Sequence, residues 1–244
     1  MVTDAKQAQE AWNRSAEGWI ANVPNDVNRH RLLDGPMLEL AGSVEGARVL
    51  DVGCGEGRFC RMLSERGADV WGIDPTPRLI EVARQRHPVG SYALAAAEAL
   101  PFLAGAFDLA VSYITLVDIV GYREAIGEMA RVLRPGGALL IANVQSFAST
   151  RPRAWYQDGS GAKLHLAVED YFDERPLLLE WGGMSLYNWH RPLEAYMSAF
   201  LESGLALRAF REPRPSEDAV RDHPSMQDEY RVPLFHIMLW EKQR

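Results

Sequence analysis

Three alternating glycines, Gly53, Gly55 and Gly57, are the residues whose spacing most directly suggests chemistry. They lie in the run VLDVGCGEGR at residues 49–58, where an apolar strand pattern leads into the glycines and helical spacing resumes at Phe59. A side chain at Gly53 or Gly55 would obstruct the approach of a ligand to the backbone. The following helix offers free N–H groups and a partial positive charge. The run therefore predicts the floor of a site for a ligand with an anionic group.

An acidic residue, Asp74, ends the second strand pattern, about 20 residues beyond the glycines. A carboxylate in that position can accept hydrogen bonds from both ribose hydroxyls of a nucleoside. Asp74 also precedes Pro75 and Pro77 at a predicted helix start, so a helix cap is the alternative interpretation. The combination of the glycine run with the acid favours a nucleoside site over a cap.

The elements that must position these residues alternate between strand and helix from residue 48 onward. The strand patterns lie at 48–53, 69–74, 92–97, 107–114, 137–143, 205–211 and 233–241, and the helical patterns between the first five lie at 58–66, 77–86 and 122–134. Near-continuous apolar runs such as residues 138–142 are typical of buried parallel strands. The alternation predicts an α/β fold with a Rossmann-like, doubly wound, seven-stranded and mostly parallel sheet and helices on both faces.

Two flanking segments are predicted to cover the carboxyl edge of that sheet, where ligands of such folds lie. Residues 5–22 place Trp12 and Trp19 on one apolar stripe, which indicates either a helix docked by its aromatic face or a lid over the site. Residues 144–192 interrupt the alternation with aromatic residues and a hairpin pattern around Gly182-Gly183. We interpret this stretch as an inserted β-hairpin cover.

The type of nucleoside depends on the details of the glycine run. A dinucleotide fingerprint requires G-x-G-x-x-G, whereas Arg58 occupies the sixth place here, so NAD is the second choice. Further motifs follow in order: EALPF at 98–102, FDLAVS at 107–112 and ARVLRPGG at 130–137. With the glycine run and Asp74, they resemble the motifs of the class I S-adenosylmethionine-dependent methyltransferases over residues 45–145. The resemblance implies S-adenosyl-L-methionine as cofactor and S-adenosyl-L-homocysteine as its product. No metal is expected, because His165 and Glu169 have helical i,i+4 spacing but lack a third ligand.

The same resemblance implies a set of cofactor contacts in this sequence. Gly53, Cys54 and Gly55 would line the methionine portion with Tyr113, Asp74 would hold the ribose, Pro75, Thr76 and Leu79 would flank the adenine, and Ala97, Glu98, Ala99 and Leu100 would cover its other side. Many members of the family carry an Asp two residues before the position of Glu98, where this chain has Ala96. The adenine amino group would then be contacted by backbone or by Glu98.

Catalytic and acceptor-binding candidates lie in the segments around the cofactor motifs. Methyl transfer depends mainly on positioning, but a hydroxyl acceptor must also lose a proton to a base. We predict His190, at the end of the hairpin, as that base, with a hydrogen-bonded structural histidine as the alternative. Asp118, after the fourth strand, is the other catalytic candidate, facing the acceptor or stabilising its turn. Trp12, Trp19 and Tyr187 are predicted to bind a small aromatic or apolar acceptor, of which an O or N atom receives the methyl group.

The segments combine into one predicted domain over residues 1–244. Its parts are an N-terminal helical lid at 1–44, a cofactor-binding core at 45–143, a substrate-covering insertion at 144–192, and a C-terminal helix and strands at 193–244 that complete the sheet. A helix is predicted at 193–203, and residues 213–232 are predicted to form a surface loop.

Composition limits the classes of partner. A formal net charge of −7 argues against a nucleic-acid partner, and the absence of an apolar run of roughly 20 residues argues against membrane insertion. The N-terminal residues show no secretory or transit pattern, which favours the cytoplasm. We therefore expect a small-molecule acceptor and a monomer or homodimer. The alternatives are a cofactor-binding module without turnover, a nucleic-acid or protein methyltransferase, and a nicotinamide oxidoreductase.

Overall fold

The structure, a computed structural model, describes residues 4–151 and 155–243. Its strands are β1 (Arg48–Val52), β2 (Asp69–Asp74), β3 (Ser91–Leu94), β4 (Phe107–Tyr113), β5 (Leu133–Val144), β6 (Trp155–Gln157), β7 (Lys163–Leu166), β8 (Arg175–Trp181), β9 (Met184–His190), β10 (Leu205–Arg211) and β11 (Phe235–Lys242). Its α-helices are α1 (Ala5–Asn22), α2 (Asp34–Ala41), α3 (Arg58–Ser64), α4 (Pro77–Arg86), α5 (Tyr122–Val132), α6 (Leu193–Glu202), α7 (Glu217–Asp222) and α8 (Gln227–Arg231). None of the helices described is long and apolar enough to cross a membrane.

One seven-stranded sheet forms the centre of the fold, in the order β10-β11-β5-β4-β1-β2-β3. Strand β11 runs antiparallel to both of its neighbours, and the remaining pairs are parallel. The predicted fold class is therefore confirmed. The chain order reverses between β1 and β4, which is the switch point where ligands of such sheets bind.

Residues of β1 pack alternately on the two faces of the sheet, because successive strand side chains point in opposite directions. Val49 lies in an apolar cluster with Phe59 of α3 and Ile80 of α4. Leu50 lies in a second cluster with Ile126 of α5. Burying one such aliphatic side chain stabilises the fold by about 1.5–3 kcal/mol. Helices on both faces therefore fix the strand end that carries the glycine run.

Helix α1 and the β8–β9 hairpin together form a cover over the carboxyl edge of the sheet. The Ser15 hydroxyl donates to the Ser185 carbonyl at 3.3 Å and accepts from the Ser185 amide at 3.2 Å, which joins α1 to β9. On its other side, α1 is joined to the core where Nε2 of the Gln9 side chain donates to the Pro75 carbonyl at 3.0 Å. The two predicted covering segments are thus in contact with each other above the end of β2.

The prediction of a surface loop at 213–232 is wrong. This stretch contains α7, a 3-10 turn at Pro224–Met226, and α8. Ser216 caps α7, because its hydroxyl accepts a hydrogen bond from the Ala219 amide at 3.1 Å. Ala219 and Met226 are buried in the core. Two apolar anchors and one cap are enough to order a segment whose composition otherwise resembles a loop.

The insertion contains more structure than its sequence pattern indicated. The predicted hairpin is present as β8 and β9, and a second hairpin is formed by β6 and β7. Strand β5 begins at Leu133 rather than at 137, because Leu133 already pairs with Phe107 of β4, and α5 accordingly ends at Val132 rather than at 134. Residues 152–154 of the predicted insertion, 1–3 of the predicted lid and the terminal residue 244 lie outside the described residues.

Buried His236 of β11 is expected to make the stability of the fold depend on pH. Its ring stacks on Phe210 with centroids 5.7 Å apart, and neither ring nitrogen has a hydrogen-bond partner in the described part of the chain. Burial lowers the pKa of His236 to about 4. In the unfolded chain, the pKa of this histidine is the ordinary value of about 6.5, so acid favours the unfolded state. The free energy of unfolding should therefore fall by ~3 kcal/mol as pH drops from 7 toward 4.

Urea unfolding of wild type and His236→Leu at pH 7.5 and pH 5 tests this expectation. On acidification the variant should lose about 2 kcal/mol less stability than wild type. It lacks the imidazole that is buried in the folded protein and takes up a proton when the chain unfolds. His165→Gln is the control, since the His165 ring is exposed. An identical pH response in wild type and His236→Leu would contradict the assignment.

Candidate active site

A cavity of about 490 Å³ lies at the carboxyl ends of β1, β2 and β4, beneath α1. Its walls include Trp12 and Trp19 of α1, the glycine run, Asp74, and the segment that follows β4. The volume falls within the roughly 300–1,000 Å³ typical of small-ligand sites. The cavity therefore occupies the predicted edge of the sheet, between the core and the cover.

The glycine run is anchored to β2 and has no room for side chains. The Gly53 amide donates to the Ile73 carbonyl at 2.8 Å, and all three glycines of the run have positive φ, between +56° and +79°. A Cβ on Gly53 would lie 2.1 Å from Cγ2 of Thr115, and one on Gly55 would lie 3.2 Å from Nε1 of Trp19. The glycines thus satisfy both a left-handed backbone and close packing against the cavity wall.

The carboxylate of Asp74 is fixed at the floor of the cavity by two backbone donors. Its Oδ2 accepts from the Gly55 amide at 3.0 Å, and its Oδ1 accepts from the Thr76 amide at 2.8 Å. Burial raises the pKa of Asp74, while the bonds to Thr76 and Gly55 lower it. The N-cap of α4 is Thr76, not Asp74. Each carboxylate oxygen keeps a lone pair for a further donor, such as a ligand hydroxyl.

The predicted cofactor contacts divide into two groups. Ten of them line the cavity: Gly53, Cys54, Gly55, Asp74, Pro75, Thr76, Leu79, Ala97, Glu98 and Tyr113. Ala99 and Leu100 are not among the residues that line it. The Leu100 amide instead donates to Glu128 of α5 at 2.8 Å. Glu98 accepts weakly from the Gly121 amide at 3.3 Å, and Ala96 also faces the cavity.

Asp51 lies in the cavity wall, and the sequence reasoning did not single it out. It is buried, its Oδ2 accepts from the Cys60 thiol at 3.3 Å, and its Oδ1 has no hydrogen-bond partner among the described residues. Burial raises the pKa of Asp51 to about 7, although Cys60 and Arg29 lower it. The sequence did contain a signal for Asp51, which is an acid inside an otherwise apolar strand. Burying an unpaired carboxylate is costly unless a ligand donates to it, so such an acid indicates a binding site.

Tyr113 at the end of β4 is held by a polar cluster that links the N-terminal region to the core. Its hydroxyl donates to Asp34 at 2.8 Å, and Asp34 also pairs with Arg58 at the start of α3. Burial raises the pKa of Tyr113, and the Asp34 charge raises it further. The Arg29 guanidinium lies over the Tyr113 ring, 4.8 Å from its centroid. Tyr113 therefore presents its ring, rather than its hydroxyl, to the cavity.

Asp118 lies in the cavity wall, on the loop after β4. The Asn188 side chain of β9 donates to it at 2.5 Å, and the Trp189 amide donates to the Val117 carbonyl at 2.7 Å. Burial raises the pKa of Asp118 to about 8, while Asn188 and Arg29 lower it. A carboxyl group with a pKa near the working pH can both accept and release a proton. Asn188 was missed in the sequence because its contact spans 70 residues.

His190 is not brought to the cavity. It is fully buried, its Nε2 donates to the Tyr171 carbonyl at 2.8 Å, and its Nδ1 lies 2.8 Å from the Ser149 hydroxyl. Burial lowers its pKa, and the Tyr171 bond raises it. Both ring nitrogens have hydrogen-bond partners within the insertion, as in a structural histidine. This geometry does not support the predicted role as base.

Only two of the three predicted acceptor contacts line the cavity. Trp12 and Trp19 line the cavity and meet edge to face, with ring centroids 5.4 Å apart. Tyr187 is not among the lining residues; it packs against the apolar cluster of α1 and β9 and lies 6.3 Å from the Trp189 ring. Helix α1 therefore supplies the two tryptophans of the cavity wall, which also includes Phe59 and Tyr113.

Comparison with known proteins agrees with this architecture. Residues 50–141 match the family described as "Methyltransferase domain". A malonyl-[acyl-carrier protein] O-methyltransferase of Serratia marcescens is 36% identical over 142 residues, which cover 57% of this chain and 53% of the relative. The chain spans about half or less of the length of the curated relatives that it matches first.

Solved structures match over most of the chain. A protein of Listeria monocytogenes, described as a candidate S-adenosylmethionine-dependent methyltransferase, is 27% identical with a TM-score of 0.75, covering 94% of this chain and 98% of its own. An S-adenosylmethionine-dependent methyltransferase of Mesorhizobium loti is 25% identical with a TM-score of 0.77, covering 85% and 96%. Together with the matching sequence motifs and the sheet order, these similarities support assignment of the chain to the class I S-adenosylmethionine-dependent methyltransferase family.

Proposed function

We propose that the protein is an S-adenosylmethionine-dependent methyltransferase that transfers a methyl group to an oxygen or nitrogen atom of a small aromatic or apolar molecule. The observation that carries this proposal is the Asp74 carboxylate, which the Gly55 and Thr76 amides hold at the cavity floor. Two fixed oxygens with free lone pairs suit the two neighbouring hydroxyls of a ribose. Membership of the family supports methyl transfer as the reaction.

The residues that line the cavity suit this cofactor. Leu79 and Ala97 offer apolar surface for the adenine, and the backbone of Gly53 and Cys54 would face the methionine portion. The Oδ1 of Asp51, which has no partner among the described residues, is an acceptor for a charged donor such as an α-ammonium group. A ligand that satisfied both Asp51 and Asp74 would have to carry donors at both ends, as an adenosyl amino acid does.

The acceptor end of the cavity supports a proton transfer coupled to methylation. Bound in the cavity, the cofactor supplies an electrophilic methyl group on a sulfonium centre. Asp118 would take the proton that a hydroxyl acceptor loses when its oxygen receives the methyl group and the sulfur leaves as the thioether of the product. The Asp118 pKa of about 8 lies near that of a phenol, about 10, so the transfer is feasible at neutral pH. Trp12 and Trp19 would pack on a flat acceptor.

The remaining parts of the proposal rest on the sequence. They are a single domain over residues 1–244, a metal-free reaction with S-adenosyl-L-homocysteine as product, a monomer or homodimer, and a cytoplasmic location.

Calorimetry with S-adenosylmethionine, S-adenosylhomocysteine and NAD tests the choice of cofactor. We expect binding of both sulfur compounds and not of NAD; preference for NAD, or no binding of either sulfur compound, would refute the proposal. Methyl transfer to a panel of phenols, amines and carboxylates tests the reaction. Confirmed cofactor binding with no methylated product from any of them would favour a binding module instead.

Asp74→Ala should weaken the binding of S-adenosylhomocysteine by about 1–3 kcal/mol, the usual loss for hydrogen bonds to a charged group. The measurement is the dissociation constant from calorimetry. Asp69→Ala is the matched control, because Asp69 lies on the same strand at its exposed end. If both variants lost the same affinity, or neither did, Asp74 would not be a cofactor contact.

A further inference from the structure

The two cysteines of the chain, Cys54 and Cys60, lie together beneath the glycine run, and the proposed reaction uses neither thiol. Cys54 lies between the first two glycines and lines the cavity, whereas Cys60 lies in α3 and is fully buried. Burial raises the pKa of Cys54, and a hydrogen bond with the Cys60 thiol raises it further. One thiol of a contacting pair is therefore open to the cavity, and the other is closed to solvent.

Asp51 supplies a base for the buried thiol. Its Oδ2 accepts from the Cys60 thiol at 3.3 Å, and burial raises the pKa of Asp51 to about 7. Burial also raises the pKa of Cys60 to about 11, so at neutral pH this thiol stays protonated until a base takes its proton. A carboxylate that is hydrogen-bonded to a thiol can take that proton as the sulfur attacks. Cys60 is thus prepared to attack an electrophilic sulfur at Cys54.

Cys54 is the member of the pair that a small oxidant can reach. It is 8% exposed and belongs to the cavity wall, whereas Cys60 has no exposed surface. Oxidation of the pair therefore has to begin at Cys54, from inside the cavity. A cofactor bound against the backbone of Gly53 and Cys54 would close that access. The cofactor-free protein is therefore the form that is open to oxidation.

We propose that Cys54 and Cys60 form a peroxide-responsive disulfide site that switches off cofactor binding. Hydrogen peroxide oxidises the Cys54 thiol to a sulfenic acid and is itself reduced to water. The Cys60 sulfur then bonds to the Cys54 sulfur and displaces hydroxide, which leaves as water with the proton that Asp51 took from Cys60. The effect on the cofactor rests on the proposed function, whereas formation of the disulfide does not.

The disulfide would distort the glycine run, because the run is anchored to β2. The Cys54 amide donates to the Ile73 carbonyl at 2.9 Å, and a Cβ on Gly72 would lie 2.8 Å from Sγ of Cys54. Bonded sulfur atoms are about 2.05 Å apart, much closer than two thiols in contact, so at least one of them has to move. The next residue, Gly55, donates the amide that holds Asp74. The shift would therefore reach the carboxylate proposed to bind the ribose.

Mass spectrometry and calorimetry after treatment with hydrogen peroxide test the site. Trypsin cleaves after Arg58, between the two cysteines, so the disulfide appears as two linked peptides. In wild type these peptides should form, and the affinity for S-adenosylhomocysteine should fall by at least about 10-fold. Dithiothreitol should reverse both changes. S-adenosylhomocysteine added before the peroxide should slow the formation of the linked peptides.

Two variants separate the disulfide from general oxidative damage. Cys60→Ser keeps a hydroxyl beside Asp51 and, before oxidation, should bind S-adenosylhomocysteine within about 3-fold of wild type. After peroxide it should form no linked peptides and should carry a sulfenic acid at Cys54 that dimedone traps. Asp51→Asn keeps both thiols but removes the base, and it should slow formation of the linked peptides by about 10-fold or more. Thermal melting shows whether each variant is folded.

The outcomes distinguish this inference from the proposed function. If wild type binds no adenosyl sulfur compound, both are overturned. If wild type binds S-adenosylhomocysteine but peroxide produces no linked peptides, or produces them without loss of affinity, the switch alone is overturned. Linked peptides that accompany a loss of affinity in wild type, are reversed by dithiothreitol and do not form in Cys60→Ser support it.

Discussion

Asp118→Asn should lower kcat for a phenolic acceptor by about 10²- to 10⁴-fold, the range typical of removing a general base. The substitution keeps the size of the side chain and removes only its ability to take a proton. Asp118 faces the cavity, and burial holds its pKa at about 8. The affinity for S-adenosylhomocysteine should change little, because the substitution affects removal of the acceptor's proton and not binding of the cofactor. Initial rates of methylated product, with calorimetry in parallel, provide the measurement.

The pH profile provides an independent readout of the same residue. Only the carboxylate form of Asp118 can accept a proton, so the wild-type rate should fall as pH drops through a midpoint at or below about 8. Asn188→Leu removes the donor that lowers this pKa and should move the midpoint toward alkaline pH. Asp118→Asn should have no such midpoint. An unchanged kcat and profile in Asp118→Asn would exclude it as the base.

His190→Gln serves as the comparison for the rival base. His190 is enclosed by Tyr171 and Ser149, away from the cavity lining. We expect this variant to lose stability while keeping the pH dependence of turnover. A loss of turnover with normal folding and cofactor affinity would restore His190 as the base and contradict the assignment to Asp118.

Arg191→Met should destabilise the fold by about 3–5 kcal/mol, because several buried acceptors would lose their donor together. The Arg191 side chain is 1% exposed. Its Nη1 donates to the Leu116 carbonyl at 3.0 Å and its Nη2 to the Ile119 carbonyl at 2.6 Å. Methionine would fill most of the space but offers no donor. Urea unfolding gives the free energy of unfolding of both proteins.

Arg123→Met is a matched control for this prediction. Both arginines lie over the Tyr122 ring, at 4.2 Å for Arg191 and 4.9 Å for Arg123, but the Arg123 side chain is 48% exposed. Exposed cations contribute little, so the control should cost less than about 1 kcal/mol. Equal losses in the two variants would mean that the cation–π contact, rather than the bonds to the loop, accounts for the effect.

The bonds of Arg191 also bear on catalysis, because they hold the loop that carries Asp118. Arg191, Asn188 and Trp189 all contact residues 116–120 from the end of the hairpin. The insertion therefore fixes the position of the proposed base from outside the cofactor motifs. A partial variant such as Arg191→Lys should lower turnover more than cofactor affinity.

Much of the cofactor half of the site was predictable from the sequence. Gly53, Gly55 and Asp74 follow two apolar strand patterns, and parallel strands bring their carboxyl ends to one edge whatever the rest of the chain does. The sequence patterns could not show that Ala97 and Glu98 line the cavity whereas Ala99 and Leu100 do not. Whether each residue of a turn faces a cavity depends on contacts such as Leu100 with Glu128, which lie 28 residues apart.

The sheet, the glycine run and its partner acid were predictable, because local periodicity and turn chemistry are encoded within a few residues. The folded structure was needed to identify the charged groups and the proposed base around them. It placed Arg29 between two aromatic rings, joined Asn188 to Asp118, and enclosed His190 within the insertion. The physical reason is that burial and pairing set the charge state of a side chain, and both depend on residues distant in the chain.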